Sequence, residues 1–250
     1  MKESRAVIII PARYGSTRLP GKPLMPIGSK PMILHVLERA RLIDGVSHVA
    51  VATDDSRILE CVINAGGKAY MTDPAHPSGT DRIAEVARMM KLSPQDIVIN
   101  VQGDQPLLDP SIVAMLIEAM RSEPEIPMAT VACPMVSKQA RDPNRVKVVL
   151  DRRNMALYFS RSVIPYDRDG IVAEESYTGY LRHLGLYAYR NSFLQTFVAM
   201  PQGRLEQIEK LEQLRALENG YDIKVLIVEN APFDVDTHED LKRAQELYSS

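Results

Sequence analysis

The chain lacks most features that would tie it to an extreme partner. Over its 250 residues the 30 Lys and Arg nearly balance 32 Asp and Glu, leaving a net charge of −2. The basic residues are scattered, so the footprint of a nucleic-acid-binding surface is missing. Only two cysteines occur, Cys61 and Cys133, in separate apolar contexts without CxxC spacing. That fits buried thiols in a reducing compartment and excludes a disulfide framework. No stretch approaches the ~20 apolar residues of a membrane helix. MKESR followed by five apolar residues and a proline is too short for a secretory h-region. A cytoplasmic protein with no membrane or nucleic-acid partner is expected. Repeats, low-complexity tracts and domain linkers are absent too. A composition of 45% hydrophobic and 25% charged residues then predicts one folded unit with a sizeable core.

What is present begins with AVIIIPARYGSTRLPGKPL, residues 6 to 24. Ala6 to Ile10 is short, continuous and mostly β-branched, the pattern of a strand covered on both faces. The following loop holds Arg13, Arg18 and Lys22 among Pro11, Gly15, Pro20, Gly21 and Pro23, residues that break a helix. Three cations at the C-terminal end of a strand suit a polyanion such as a triphosphate, with a solvated basic loop as the plainer alternative. The loop is not a Walker phosphate loop. GSTRLPGK has one residue too many between its glycines, and Pro23, which has no N–H, stands where a magnesium-binding hydroxyl is required.

Strand-like and helix-like segments then alternate: a helix over Met32 to Leu42, a strand over His48 to Ala52, a helix over Ile58 to Ile63 and a strand over Ala69 to Met71. Ser78 or Thr80 can cap the next helix, Ile97 to Val101 is the next strand, and Asp109-Pro110 starts another helix. This grammar predicts an α/β fold with a mostly parallel central sheet flanked by helices. From about residue 146 it changes. Val146 to Leu150 and Met155 to Ser160 read as an antiparallel hairpin inserted in the second half. Leu184 to Tyr189 is a strand, Arg204 to Glu218 one helix with a broad apolar face, and Ile223 to Val228 a final strand. Thr237 with Asp240 forms a capping box for the last helix.

Several side chains stand where chemistry can happen. Asp104, after a strand, and Asp236, before a helix, belong on the sheet's ligand edge, where paired carboxylates suit magnesium. A turn residue and a favourable charge at a helix N-terminus are the plainer alternatives. Ser78-Gly79-Thr80-Asp81-Arg82 opens a helix and can bind an anion or a base edge, although N-capping alone explains a serine or threonine there. Arg161, His183 and Tyr187 fall near strand ends of the second half, where they could hold a carboxylated, hydroxyl-rich substrate, although a lone histidine is more often structural.

In order along the chain, PARYGSTRLPGKPL, SGTDR, NVQGDQP, LYFSRSVIP, RHLGLYAYR, LEQLR and VDTHEDL resemble the 3-deoxy-manno-octulosonate cytidylyltransferase family over nearly the whole chain. The resemblance implies a nucleotide-diphospho-sugar-transferase fold in one domain. Its nucleotide-binding half would be about 1–130, its sugar-binding and dimerisation half about 131–250. It implies a magnesium-dependent homodimer that makes a CMP-sugar for lipopolysaccharide from CTP and a 3-deoxy sugar acid. Arg13, Lys22, Asp104 and Asp236 become the catalytic residues, with Asp104 and Asp236 as metal ligands. Arg13, Ser16 and Lys22 hold the CTP phosphates, while Ser78, Gly79 and Gln102 line the cytidine side. Arg18, Arg161, His183, Tyr187, Glu212 and Gln213 face the sugar. Two residues depart from the family pattern: Gln105 replaces a glutamate, and Val235 stands in place of a glycine. The plain octulosonate is the expected acceptor. An 8-amino analogue would need a nearby carboxylate, for which the loop with Glu174 and Glu175 is one source. Another acidic sugar, or a non-catalytic nucleotide-binding role, are the remaining alternatives.

Overall fold

A computed structural model describes residues 4–15, 19–173, 175, 179–235 and 237–249, the last residue by its backbone. Ser16, Arg18, Glu174 and Asp236 therefore lie outside the described residues. β1 (Ala6–Ala12) leads through a 3-10 turn and the short strands β2 (Pro26–Ile27) and β3 (Lys30–Pro31) into α1 (Met32–Arg41). Next come β4 (Val46–Thr53), α2 (Ser56–Asn64), β5 (Ala69–Met71), α3 (Gly79–Met89), β6 (Ile97–Asn100) and α4 (Pro110–Ser122). The second half contains β7 (Met128–Pro134), β8 (Lys147–Leu150), β9 (Ala156–Ser160), β10 (Leu181–Arg190) and α5 (Asn191–Ala199). It ends with α6 (Arg204–Glu209), α7 (Leu214–Glu218), β11 (Ile223–Ile227) and α8 (His238–Ser249).

The sheet runs β11-β7-β10-β6-β1-β4-β5. β1 pairs parallel with β4 and β6, β4 with β5, and β7 with β11. β10 is antiparallel between β6 and β7 and also carries the hairpin β8–β9. The α/β expectation, with a mostly parallel sheet and an antiparallel hairpin, is therefore met. Strand alternation divides the core into two layers. Ala6, Ile8 and Ile10 join one buried cluster with α1 and α4, while Val7 and Ile9 join the other with α3 and α5.

The hairpin turn manages without Asn-Gly. Asp151 Oδ1 accepts from the backbone N–H groups of Arg153 and Met155 at 2.8 and 2.9 Å, and Asn154 takes the left-handed conformation at φ 61°. The expected single helix over 204–218 is two. Lys210 turns left-handed at φ 54°, and Ile208 is 66% exposed instead of lying on an apolar face. The break has a tertiary cause. The Arg161 guanidinium donates Nε–H to the Glu209 carbonyl at 2.8 Å, and the Glu209 carboxylate accepts from Ser160 Oγ at 2.6 Å and Arg161 N at 2.9 Å. These bonds offset the helix propensity of the segment and turn Glu212 and Gln213 inward.

Candidate functional site

Two cavities lie beside the sheet. The first, about 520 Å³, is built from the C-terminal ends of β1, β4 and β6 and the start of α3. Arg13 follows β1, Asp54 follows β4, and Gln102, Gly103 and Asp104 follow β6. This is the edge at which open α/β sheets take ligands. Two glycines shape it. Gly21 sits at φ +70°, and a Cβ there would stand 3.0 Å from the Tyr14 ring, over which Arg57 lies at 3.5 Å. A Cβ on Gly103 would stand 2.9 Å from the Pro11 carbonyl oxygen, so the loop after β6 can pass the end of β1 only with glycine.

Charges in the first cavity come in pairs. Lys22 Nζ donates to Asp104 Oδ2 at 2.7 Å, with side chains 12% and 31% exposed. Arg82 is buried, reaches Asp54 Oδ2 at 2.8 Å and also bonds Thr72. His76 Nε2 meets Glu85 Oε2 at 2.6 Å. Ser78 is the N-cap of α3, its hydroxyl oxygen accepting from the N–H groups of Thr80 and Asp81 at 3.1 and 3.3 Å. Gly79 packs on Pro11. Gln102 Nε2 donates to the Gly185 carbonyl at 3.0 Å, tying the loop after β6 to β10. Arg13, Lys22, Ser78, Gly79, Gln102 and Asp104 thus all line this cavity.

The second cavity, about 280 Å³, is lined from the other half of the chain, by β10 and the break between α6 and α7. His183, Tyr187, Glu212 and Gln213 meet here. Arg161 lines neither cavity: besides Glu209 it donates to the Pro143 carbonyl at 3.0 Å and approaches that of Lys210 at 3.4 Å. His183 is buried, and burial, aided by the neighbouring Arg182, pushes its pKa down to about 3. Thr130 Oγ1 gives its proton to the Leu186 carbonyl at 2.8 Å, so it accepts from His183 Nε2–H at 3.0 Å and Nδ1 is left unprotonated. His183 is then a neutral group and brings no charge to a carboxylate.

Two cations that sequence reasoning missed line this cavity, Lys210 and the neighbour of His183, Arg182; Arg182 stands in the RHLGLYAYR stretch and approaches Asp234 Oδ2 at 3.5 Å. Burial also raises the Tyr187 hydroxyl, helped by the Glu212 charge, and burial raises the Glu212 carboxyl. Two polar atoms here take no hydrogen bond: Glu212 Oε1, an acceptor, and Gln213 Nε2, a donor on a side chain 3% exposed. Buried polar atoms without a partner are costly, and both of these belong to residues that line the second cavity.

Both departures from the family pattern converge between the cavities. Gln105 is 3% exposed and its Nε2 donates to Asp234 Oδ1 at 2.8 Å. Val235 is fully buried against Leu19, Ile27, Met32 and Ala244, and its N–H donates to the Asp104 carbonyl at 3.0 Å. Val235 is thereby tied to the loop that carries Asp104.

A family model described as Cytidylyltransferase matches residues 7–224. An 8-amino-3,8-dideoxy-manno-octulosonate cytidylyltransferase of Shewanella sp. (strain W3-18-1) is 50% identical, the match covering 96% of this chain and 97% of that one. A 3-deoxy-manno-octulosonate cytidylyltransferase of Syntrophobacter fumaroxidans is 52% identical, covering 95% and 94%. The solved structure of CMP:2-keto-3-deoxy-manno-octonic acid synthetase complexed with CTP superposes at a TM-score of 0.92 with 47% identity, covering 98% of this chain and 99% of that chain. Matched end to end in sequence and in fold, the chain belongs to the cytidylyltransferase family, in the branch that contains the 3-deoxy-manno-octulosonate cytidylyltransferases.

Proposed function

We propose that the chain transfers CMP from CTP to the anomeric hydroxyl of 3-deoxy-manno-octulosonate, releasing pyrophosphate and giving the CMP-sugar used for lipopolysaccharide. The observation that carries this reading is the adjacency of two unlike cavities, one lined by cations at strand ends, the other by buried hydroxyl-recognising groups. The CTP triphosphate, with about four negative charges, lies in the first, against Arg13 and Lys22. The sugar lies in the second, its hydroxyls meeting Glu212 Oε1 and Gln213 Nε2 and its carboxylate drawn by the positive charge of Arg182.

The acceptor oxygen attacks the α-phosphorus, the bond to the β-phosphate oxygen breaks, pyrophosphate leaves with the electron pair, and the hydroxyl proton passes to water. No covalent enzyme intermediate is needed. The residues position the two substrates and neutralise charge.

Magnesium fits the donor set. Asp104 offers a half-buried carboxylate on the wall of the first cavity, and its backbone carbonyl accepts from the N–H of Val235, the residue before Asp236 in the sequence. Among the described residues no trio of carboxylate, histidine or cysteine forms a closed cage. An ion that takes one or two carboxylates and completes its shell with phosphate oxygens and water suits such a site. Bound by Asp104 and Asp236, it would lower the pKa of the attacking hydroxyl and screen the phosphates. Asp104 would then exchange Lys22 for the ion, leaving the ammonium to the triphosphate.

A homodimer in the cytoplasm completes the proposal. Among the described residues no helix is long and apolar enough to cross a membrane. A second acceptor, the 8-amino sugar, is favoured by one observation: Glu212 and Asp234 both place carboxylates at the second cavity, where an ammonium could be held. Pyrophosphate release with CTP, magnesium and each sugar acid tests both. Release with neither would reject the proposal.

A further inference from the structure

Between the two cavities stands one hydroxyl with no assigned part in the reaction. Thr80 lies in the first turn of α3, two residues after Ser78 of the first cavity, and is 2% exposed. Its hydroxyl donates to Glu212 Oε2 at 2.7 Å. Glu212 is therefore gripped through one oxygen from the nucleotide side, while its other oxygen, Oε1, takes no hydrogen bond at the wall of the second cavity.

We infer that Thr80 is a positioning residue for the acceptor: its hydroxyl fixes the rotamer of Glu212, so that Oε1 is held ready to accept from a sugar hydroxyl. The inference rests on the proposed placement of the sugar in the second cavity. Its physical basis is that a neutral donor is what a desolvated carboxylate requires. Burial raises the Glu212 carboxyl, and the Thr80 bond, foremost among Thr80, Ser78 and the Arg215 charge, acts in the opposite direction. The charged and titratable groups facing Glu212 are Arg215, whose nitrogen lies 3.7 Å from Oε1, Asp81 on α3, and Tyr187 and Tyr189 on β10. Arg215 is already committed to Glu206 at 2.6 and 2.8 Å, so it does not replace the Thr80 bond.

The test compares Thr80→Val, which keeps the volume and removes the hydroxyl, with Thr80→Ser, which keeps the hydroxyl. A hydrogen bond to a charged group is worth enough to change a Michaelis constant roughly ten- to a hundredfold. Thr80→Val should therefore raise the acceptor KM about tenfold or more, with the CTP KM within about twofold of the parent. Without its donor Glu212 protonates more readily, so the acid limb of kcat/KM for the acceptor should move to higher pH. Thr80→Ser should restore both readouts. In a Glu212→Gln background Thr80→Val should cost much less, because the partner charge is gone. If Thr80→Val melts early, Thr80→Ala removes the same hydroxyl without adding a methyl.

A parent-like acceptor KM in the valine and alanine variants overturns the inference, as does a serine variant no better than valine, or equal losses in both Michaelis constants. An inactive parent overturns the functional proposal and the positioning role with it. An active parent with an unaffected valine variant overturns the positioning role alone.

Discussion

The two cavities differ in how the chain makes them. The first draws on segments that each directly follow a parallel strand or open a helix, and its polar side chains meet as opposite charges: Lys22 with Asp104, Arg82 with Asp54. The second is assembled where an antiparallel strand, β10, passes a broken helix, and its key groups are neutral or desolvated: His183, Tyr187 and the amide of Gln213. A polyanion can be met by exchanging ion pairs at the edge of water, whereas a sugar must find hydrogen-bond partners already oriented in a dry place. The first task needs charge at a fixed edge, and the second needs shape.

The comparison can be broken most severely at the carboxylate of the first cavity. Asp104→Asn keeps volume and removes the charge that would hold magnesium, so turnover should fall by about a thousandfold or more with the melting temperature little changed. The same is expected of Asp236→Asn. Turnover near the parent's at saturating magnesium would remove that residue from the mechanism. A weaker effect should follow withdrawal of magnesium. With Lys22 held by Asp104, CTP should bind at least tenfold more weakly in chelator than with the ion, measured by calorimetry, and Asp104→Asn should bind CTP with little magnesium dependence. Equal affinities in the parent with and without magnesium would show that the pair does not compete with the triphosphate.

The burial of His183 in the second cavity predicts a pH effect on stability. His183 has a folded pKa of about 3 against an ordinary 6.5. Below 6.5 the unfolded chain binds a proton that the folded chain refuses, so stability falls as pH drops from 6.5 toward 3. Between pH 7 and 5 this amounts to about 2 kcal/mol. Urea unfolding of the parent and of His183→Gln at both pH values checks it, and the variant should lose less. An equal loss would mean that His183 is already protonated in the fold. The smallest effect concerns Ser78. Its capping role predicts a loss of about 1 kcal/mol in Ser78→Ala. An unchanged unfolding midpoint would leave this serine to the nucleotide alone.

Much of this was legible in the sequence because local chemistry decided it. Ala6 to Ile10 had to be a doubly covered strand, Asp109-Pro110 had to start α4, and PARYGSTRLPGKPL had to be a shaped loop at a strand end. Each depends on residues within a few positions. β7 was not legible: MATVACP is built from small residues whose burial comes from β10 and β11 on either side. The break at Lys210 depends on Arg161 and Ser160, about fifty positions away, and no periodicity in the segment records them. For the same reason Arg161 read as a sugar ligand, while the structure spends its guanidinium on backbone carbonyls. His183 is neutral and its neighbour Arg182 carries the charge at the second cavity, a difference set by burial, which the sequence does not show. Asp104 and Lys22 could each be named from the sequence, but their pairing at 2.7 Å could not.

The central claim is that nucleotide and acceptor occupy separate cavities made by the two halves of the chain. Steady-state pyrophosphate release, with each substrate varied in turn, tests it in Lys22→Ala and Gln213→Leu. The account predicts reciprocal defects. Lys22→Ala should raise the CTP KM about tenfold or more and leave that of the sugar acid within about threefold, and Gln213→Leu should do the reverse. A Gln213 variant impaired only toward CTP, or a Lys22 variant impaired only toward the sugar, would contradict it.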